Sequence, residues 1–216
     1  MQSMKCNKNH MLLYAVTSRA WTGEHTLLWQ VEQALKGGVT CVQLREKHAD
    51  PRLLLEEARQ MAQLCRQYGV PFIINDDVEL ALACGADGVH VGQQDLSARQ
   101  VRRIAGDKLL VGVSAHSVQE ALQAAADGAD YLGVGAMFAT STKADARPLP
   151  HQTLREICQA VDLPVVAIGG IQADNLLQLT GCGADGVALV SAIFSAQDIQ
   201  AQCRHLRTLS QQMIQG

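Results

Sequence analysis

The run Gln43-Leu44-Arg45-Glu46-Lys47 places two cations and an amide at every second position. In an extended strand that period puts Gln43, Arg45 and Lys47 on one face, with Val42 and Leu44 on the other. Val42 and Leu44 suit a helix-covered face, so the polar three turn inward. There they need an anion, and Arg with Lys suits a phosphate. The competing arrangement is a solvated strand end with Arg45 and Lys47 paired to Glu46 or Asp50. Two carboxylates follow short apolar runs: Asp76 after Phe72-Ile73-Ile74-Asn75, and Asp95 after Val89-His90-Val91-Gly92-Gln93-Gln94. Asp76 and Asp95 fit one hard cation such as Mg²⁺, completed by phosphate oxygens. Taken alone, Asp76 or Asp77 serves equally well as a helix N-cap. Thr140-Ser141-Thr142-Lys143 offers several donors to an anion, or reads as an ordinary turn. Gly169-Gly170 and Val190-Ser191 suggest a second anion site made from backbone N–H groups. Ser114 closes the run Gly112-Val113-Ser114, and neither it nor Ser191 lies in a G-x-S-x-G elbow. His90 and His116 lack metal-ligand spacing and read as satisfied core or turn histidines.

These residues must be positioned by something, and the chain says what. Gly85-Ala86-Asp87-Gly88, Gly128-Ala129-Asp130-Tyr131 and Gly183-Ala184-Asp185-Gly186 each close a helix and open a strand, and Gly37-Gly38-Val39-Thr40 is a looser version. Apolar, β-branched runs predict eight strands: Leu12 to Thr17, Cys41 to Glu46, Pro71 to Asn75, Gly88 to Gly92, Leu109 to Ser114, Tyr131 to Met137, Pro164 to Ile168 and Gly186 to Ser191. Helical patterns separate them. Leu54, Ala58, Met61 and Cys65 share one face after Asp50-Pro51, Ser117-Val118-Gln119-Glu120 is a capping box, and a last helix starts near Ser195. Strict alternation predicts a parallel sheet with helices outside, an α/β fold of the (β/α)₈ TIM-barrel type over residues 1–216, with a polar extension over about residues 1–11. A doubly wound open sheet is the alternative, but no G-x-G-x-x-G follows the first strand.

With 216 residues, 48% of them hydrophobic, the chain can bury one core, which excludes disorder as its main state. A net charge of -3 lacks the basic excess of a nucleic-acid binder, so an anionic partner must be met locally. The residues after Met1, or after Met4 if translation starts there, form no apolar signal, and no apolar run is long enough for a bilayer. The expectation is a cytoplasmic protein with neither membrane nor nucleic-acid partner. Its seven cysteines are odd in number and lack C-x-x-C spacing, as expected for reduced thiols.

As a set, Val42 to Lys47, Ile74 to Asp76, Gly88 to Leu96, Gly112 to Ser114, Gly133 to Gly135 with Thr140 to Lys143, Ala167 to Ile171 and Val190 to Ile193 resemble the thiamine phosphate synthase family, in order from about Leu12 to Phe194. The resemblance implies that the Gln43-Leu44-Arg45-Glu46-Lys47 run, Asn75, Ser114 and Lys143 bind an aminopyrimidine diphosphate. It implies Mg²⁺ on Asp76 and Asp95, and thiazole phosphate on Thr140, Ser141, Thr142, Gly170, Val190 and Ser191. Arg45, Lys47, Ser114 and Lys143 would carry the catalysis, in which diphosphate departs, a pyrimidine carbocation forms and the thiazole nitrogen captures it. The assembly to test is a homodimer. Ala136 and Ala139 stand where the family usually has prolines, which implies a less constrained loop. A thiazole tautomerase on the same barrel and a non-catalytic phosphate-metabolite sensor are the competing functions. The tautomerase would lack several of Arg45, Lys47, Asp76, Asp95 and Lys143, all of which are present.

Overall fold

A computed structural model describes residues 6–46, 50–140 and 147–216. Eight parallel strands close into a barrel in sequence order: β1 (Leu13–Val16), β2 (Cys41–Leu44), β3 (Phe72–Asn75), β4 (Gly88–Val91), β5 (Leu110–Ala115), β6 (Tyr131–Val134), β7 (Val165–Ile168) and β8 (Gly186–Leu189). The register closes where Tyr14 of β1 faces Ala188 of β8. Around it lie α1 (Lys8–Met11), α2 (Leu27–Lys36), α3 (Pro51–Tyr68), α4 (Val78–Cys84), α5 (Ala98–Ala105), α6 (Val118–Ala126), α7 (His151–Ala160), α8 (Ser191–Phe194) and α9 (Ile199–Gln215).

Two apolar layers follow from the alternation of side chains along each strand. Outward residues such as Val42, Leu44, Val89, Val111 and Leu132 pack with the buried stripes of the helices, including Ala58, Met61 and Cys65 of α3. Inward residues, among them Tyr14, Cys41, Ile73, Leu110, Tyr131, Val166 and Ala188, fill the barrel. Met11 of α1 belongs to that inner cluster. The N-terminal stretch from Cys6 therefore helps to close the barrel floor, and Lys8 pairs with Asp185 at 2.9 Å.

The repeated phrase has a specific task at that floor. Each copy ends its helix on a glycine with positive φ, namely Gly38, Gly85, Gly128 and Gly183, a conformation that costs glycine nothing. Two residues later a side chain bonds back to the preceding strand. Asp87 donates its N–H to the Phe72 carbonyl and accepts the Phe72 N–H on Oδ2, both at 2.9 Å. Asp130 does the same to Val111, both at 2.7 Å, and Asp185 to Val165, at 2.7 and 2.9 Å. Thr40 repeats it with its hydroxyl on Leu13, at 2.8 and 2.9 Å. Every even-numbered strand is thus clipped to the odd-numbered strand before it.

Some expected boundaries move. The last strand stops at Leu189, Val190 caps α8, and the expected helix near Ser195 resolves into α8 from Ser191 and α9 from Ile199. The register ends there: β1 pairs only as far as Leu189 and β7 only as far as Ala188. The β7–β8 crossover carries a 3₁₀ turn, Leu176–Leu179, whose buried Leu176 and Leu179 cover the sheet in place of a longer helix. On α6, Ser117 caps the Glu120 N–H as expected, but the Glu120 carboxylate takes the His116 N–H and Nδ1 and not the Ser117 N–H. A reciprocal capping box lies instead on α5, between Ser97 and Gln100.

Candidate active site

The carboxyl ends of the strands gather most of the polar residues singled out in the sequence. On β2, Gln43 turns inward, is 5% exposed, and donates from Nε2 to the Tyr14 hydroxyl at 2.8 Å. Leu44 faces the helices and is buried, so it meets the mouth only through its backbone. The Thr17 hydroxyl accepts the Arg45 N–H at 3.0 Å, which fixes where that side chain departs. Neither candidate partner of Arg45 is available to it. Glu46 is bonded to Arg19 at 2.8 Å, and Arg19 also pairs with Glu57. Asp50 caps α3 through the Arg52 and Leu53 N–H groups. Among the described residues none pairs with the Arg45 guanidinium. Lys47 lies outside the described residues.

The ends of β3 and β4 lie side by side. Asn75 is the last residue of β3, and Asp76 follows with φ +65°. Its N–H donates to the His90 carbonyl at 2.8 Å, tying the turn to β4. The helix-capping role belongs to Asp77, which accepts from the Leu80 N–H at 2.8 Å. After β4, Asp95 accepts the Gly92 N–H on Oδ2 at 2.8 Å. No cluster of three or more His, Cys, Asp or Glu that could hold a metal occurs among the described residues. Two hard carboxylates on neighbouring strand ends match a Mg²⁺ whose other ligands are phosphate and water, and do not match a closed protein cage.

Ser114 faces the interior of β5, where its Oγ lies 2.9 Å from His90 Nε2. His90 Nδ1 lies 3.1 Å from the Tyr131 hydroxyl, and that hydroxyl lies 2.8 Å from Tyr14. A line of side chains therefore crosses the barrel from Gln43 to Ser114. Burial pushes His90 down to about 4, so the imidazole is neutral near pH 7, and burial raises both tyrosine hydroxyls well above their usual range. The sequence-based reading of His90 as a satisfied core histidine holds. The tyrosines and the path itself were not anticipated, although inward Tyr14 and Tyr131 in apolar strands signal buried hydroxyls that need partners. Gln93 was also missed; its Nε2 donates to the Ser114 carbonyl at 2.6 Å.

On the other side of the mouth, Thr140 is half-buried, while Ser141, Thr142 and Lys143 lie outside the described residues. The start of this loop is tied to the end of β7, where Met137 donates to Ile168 and Phe138 to Gly169, both at 2.9 Å, while the Ala136 carbonyl accepts the Leu149 N–H at 2.7 Å. Gly170 has φ +67° and lies so close to the Phe138 and Ala139 carbonyls that a Cβ would overlap them. Gln172 donates to the Ser191 hydroxyl at 2.9 Å, joining the loops after β7 and β8. Four of the seven free cysteines, Cys6, Cys65, Cys158 and Cys203, have thiols pushed up to about 12 mainly by burial, which makes them poor nucleophiles.

Residues 13–193 match the family described as thiamine monophosphate synthase. The chain belongs to that family. Thiamine-phosphate synthase of Chloroflexus aurantiacus is 52% identical over 198 residues, 91% of each chain. The synthase of Clostridioides difficile is 46% identical over 195 residues, 90% of this chain and 93% of its own. Thiamine phosphate pyrophosphorylase from Pyrococcus furiosus superposes with a TM-score of 0.88 at 38% identity, covering 95% of this chain and 98% of that one. The activity is accordingly that of a thiamine-phosphate synthase, an alkyl-group transferase on small molecules. No described helix is long and apolar enough to cross a membrane.

Proposed function

We propose that the mouth of this thiamine monophosphate synthase family barrel binds an aminopyrimidine diphosphate across β2 to β5 and a thiazole phosphate across the loops after β6 to β8. The observation that carries this reading is Arg45, whose guanidinium has no described partner while Glu46 and Asp50 are both engaged elsewhere. An Arg positioned at a strand end by the Thr17–Arg45 bond, with no partner among the described residues, supports an anion site there. Gln43, Asn75 and Ser114 would hold the pyrimidine, with Arg45, Lys47 and Lys143 on its diphosphate. Leu44 and Glu46 shape the same strand end, Leu44 through its backbone. Thr140, Ser141, Thr142, Gly170, Val190 and Ser191 would hold the thiazole phosphate.

In the reaction we propose, the bond between the pyrimidine methylene carbon and the diphosphate oxygen breaks, and its electron pair leaves with diphosphate. The thiazole nitrogen then donates its lone pair to the resulting carbocation. Arg45, Lys47 and Lys143 stabilise the charge that grows on the leaving group, and the second anion site orients the nucleophile. Asp76 and Asp95 would hold Mg²⁺, which when bound neutralises diphosphate charge. The neutral His90 and the raised thiols agree with a reaction that needs neither a protein nucleophile nor a strong base.

Pyrophosphate release with aminopyrimidine diphosphate, thiazole phosphate and Mg²⁺, each omitted in turn, tests the proposal. Release that requires all three and yields thiamine phosphate supports it. Thiazole isomerisation alone, or binding of both substrates without product, overturns it.

A further inference from the structure

The line of side chains through the barrel has a direction that can be worked out. Gln43 donates from Nε2 to the Tyr14 oxygen. Tyr14 has one proton to give, and its neighbours are the Tyr131 oxygen at 2.8 Å and the Cys41 thiol. Sulfur is the weaker acceptor, so the proton goes to Tyr131. Tyr131 in turn gives its proton to His90 Nδ1 at 3.1 Å. A neutral imidazole that accepts at Nδ1 carries its hydrogen at Nε2, and Nε2 then donates to Ser114 Oγ at 2.9 Å. The line ends at the Ser114 hydroxyl, whose proton has no taker inside it.

We propose that Gln43, Tyr14, Tyr131, His90 and Ser114 form a hydrogen-bond chain with one fixed sense, in which Tyr14, Tyr131 and His90 are positioning residues that turn the Ser114 hydroxyl proton outward, toward an acceptor on the bound pyrimidine substrate. The proposal rests on the functional reading above. It explains why the fold gives up packing here. A Cβ at Gly112 would overlap the Tyr131 ring and crowd His90 Nδ1, and one at Gly133 would press on the His90 ring. Two inward strand positions are thus left without side chains, and the tyrosine and imidazole occupy that space. Three buried polar rings where aliphatic side chains would pack more cheaply are retained only as a fully satisfied network. The chain also links β2 to β5 through a pair of residues 117 apart in sequence, so the two ends of the pyrimidine subsite are oriented together.

The sense is read directly by ¹⁵N NMR of histidine-labelled, metal-free protein, with His90 assigned by its loss in His90→Gln. The expected result is the Nε2–H tautomer in the native protein and a mixture of both tautomers in Tyr131→Phe, where Nδ1 has lost its donor. Nδ1–H in the native protein, or an unchanged ratio in Tyr131→Phe, overturns the proposal. Should Tyr131→Phe fail to fold, the native spectrum alone decides the sense. In kinetics, Tyr131→Phe should raise KM for aminopyrimidine diphosphate about tenfold, the value of one oriented hydrogen bond, and leave KM for thiazole phosphate unmoved. His90→Gln, whose amide can still donate to Ser114, should retain more kcat/KM than His90→Leu. Equal KM rises for both substrates, or equal losses in the two His90 variants, mark a merely structural role. Native protein that makes no thiamine phosphate overturns the functional reading instead, and leaves the tautomer result standing.

Discussion

At the barrel floor, Thr40, Asp87, Asp130 and Asp185 each satisfy both backbone groups of one residue on the preceding strand, and the same geometry recurs four times. At the mouth no such motif recurs: β2 ends by Gln43 and Arg45, β3 by Asn75, β6 and β7 run into glycines, and Arg45 ends with no described partner. Both ends belong to the same strands and share one core between them. The difference teaches that the floor polar groups are taken up by one repeated bond to the backbone, whereas those at the mouth are held one by one in separate contacts, such as Gln43 with Tyr14 and Ser114 with His90.

The largest effect should come from the mouth. Arg45→Ala is expected to lower kcat/KM by about 10²–10³, or about 2.7–4 kcal/mol, with an unchanged melting temperature; a matching loss of stability would erase the contrast between the ends. The buried middle should answer to acid. His90 sits near 4 in the fold against an ordinary 6.5, so below pH 6.5 the unfolded chain binds a proton that the folded one refuses. Stability is full above pH 6.5 and falls by about 1.4 kcal/mol per pH unit toward 4 from this group alone. Denaturant midpoints of the metal-free protein at pH 7, 5.5 and 4.5 should show this slope in the native chain and a shallower one in His90→Gln; Asp95, the charged group that acts on His90, is present in both.

Floor substitutions should cost stability and spare chemistry. Asp130→Ala strips the acceptor from the Val111 N–H and from Arg102, at about 1–3 kcal/mol. In a chain of this size each kcal/mol lowers the melting temperature by roughly 2–4 °C, with both KM values unmoved. Thr40→Val removes a neutral hydroxyl from Leu13 and should cost about 1 kcal/mol, seen as faster amide exchange at Leu13.

Much of this was legible because period-two alternation is local. It put Gln43 inward and Leu44 outward, and the eight strands were legible because each is a short apolar run between turns and helices. The Gly-Ala-Asp phrase was legible as a turn, but the role of its Asp was not, because Phe72, Val111 and Val165 lie on other strands. The same limit hid the path from Gln43 to Ser114: Tyr14 and Tyr131 meet only once the barrel closes. Asp76 and Asp77 were equal as caps until the backbone assigned the cap to Asp77. The end of β8 was misjudged because Val190 continues the apolar run after its strand partners have stopped.

The floor clips join β1 with β2, β3 with β4, β5 with β6, and β7 with β8. The barrel is therefore divisible in some places and not in others. New chain termini placed between α4 and β4 would separate Phe72 from the Asp87 that holds it, whereas termini placed in α5 leave every clipped pair intact on its own segment. A gene cut at the second position would yield halves that each carry complete strand pairs, and the closed barrel is in this sense an assembly of four two-strand parts.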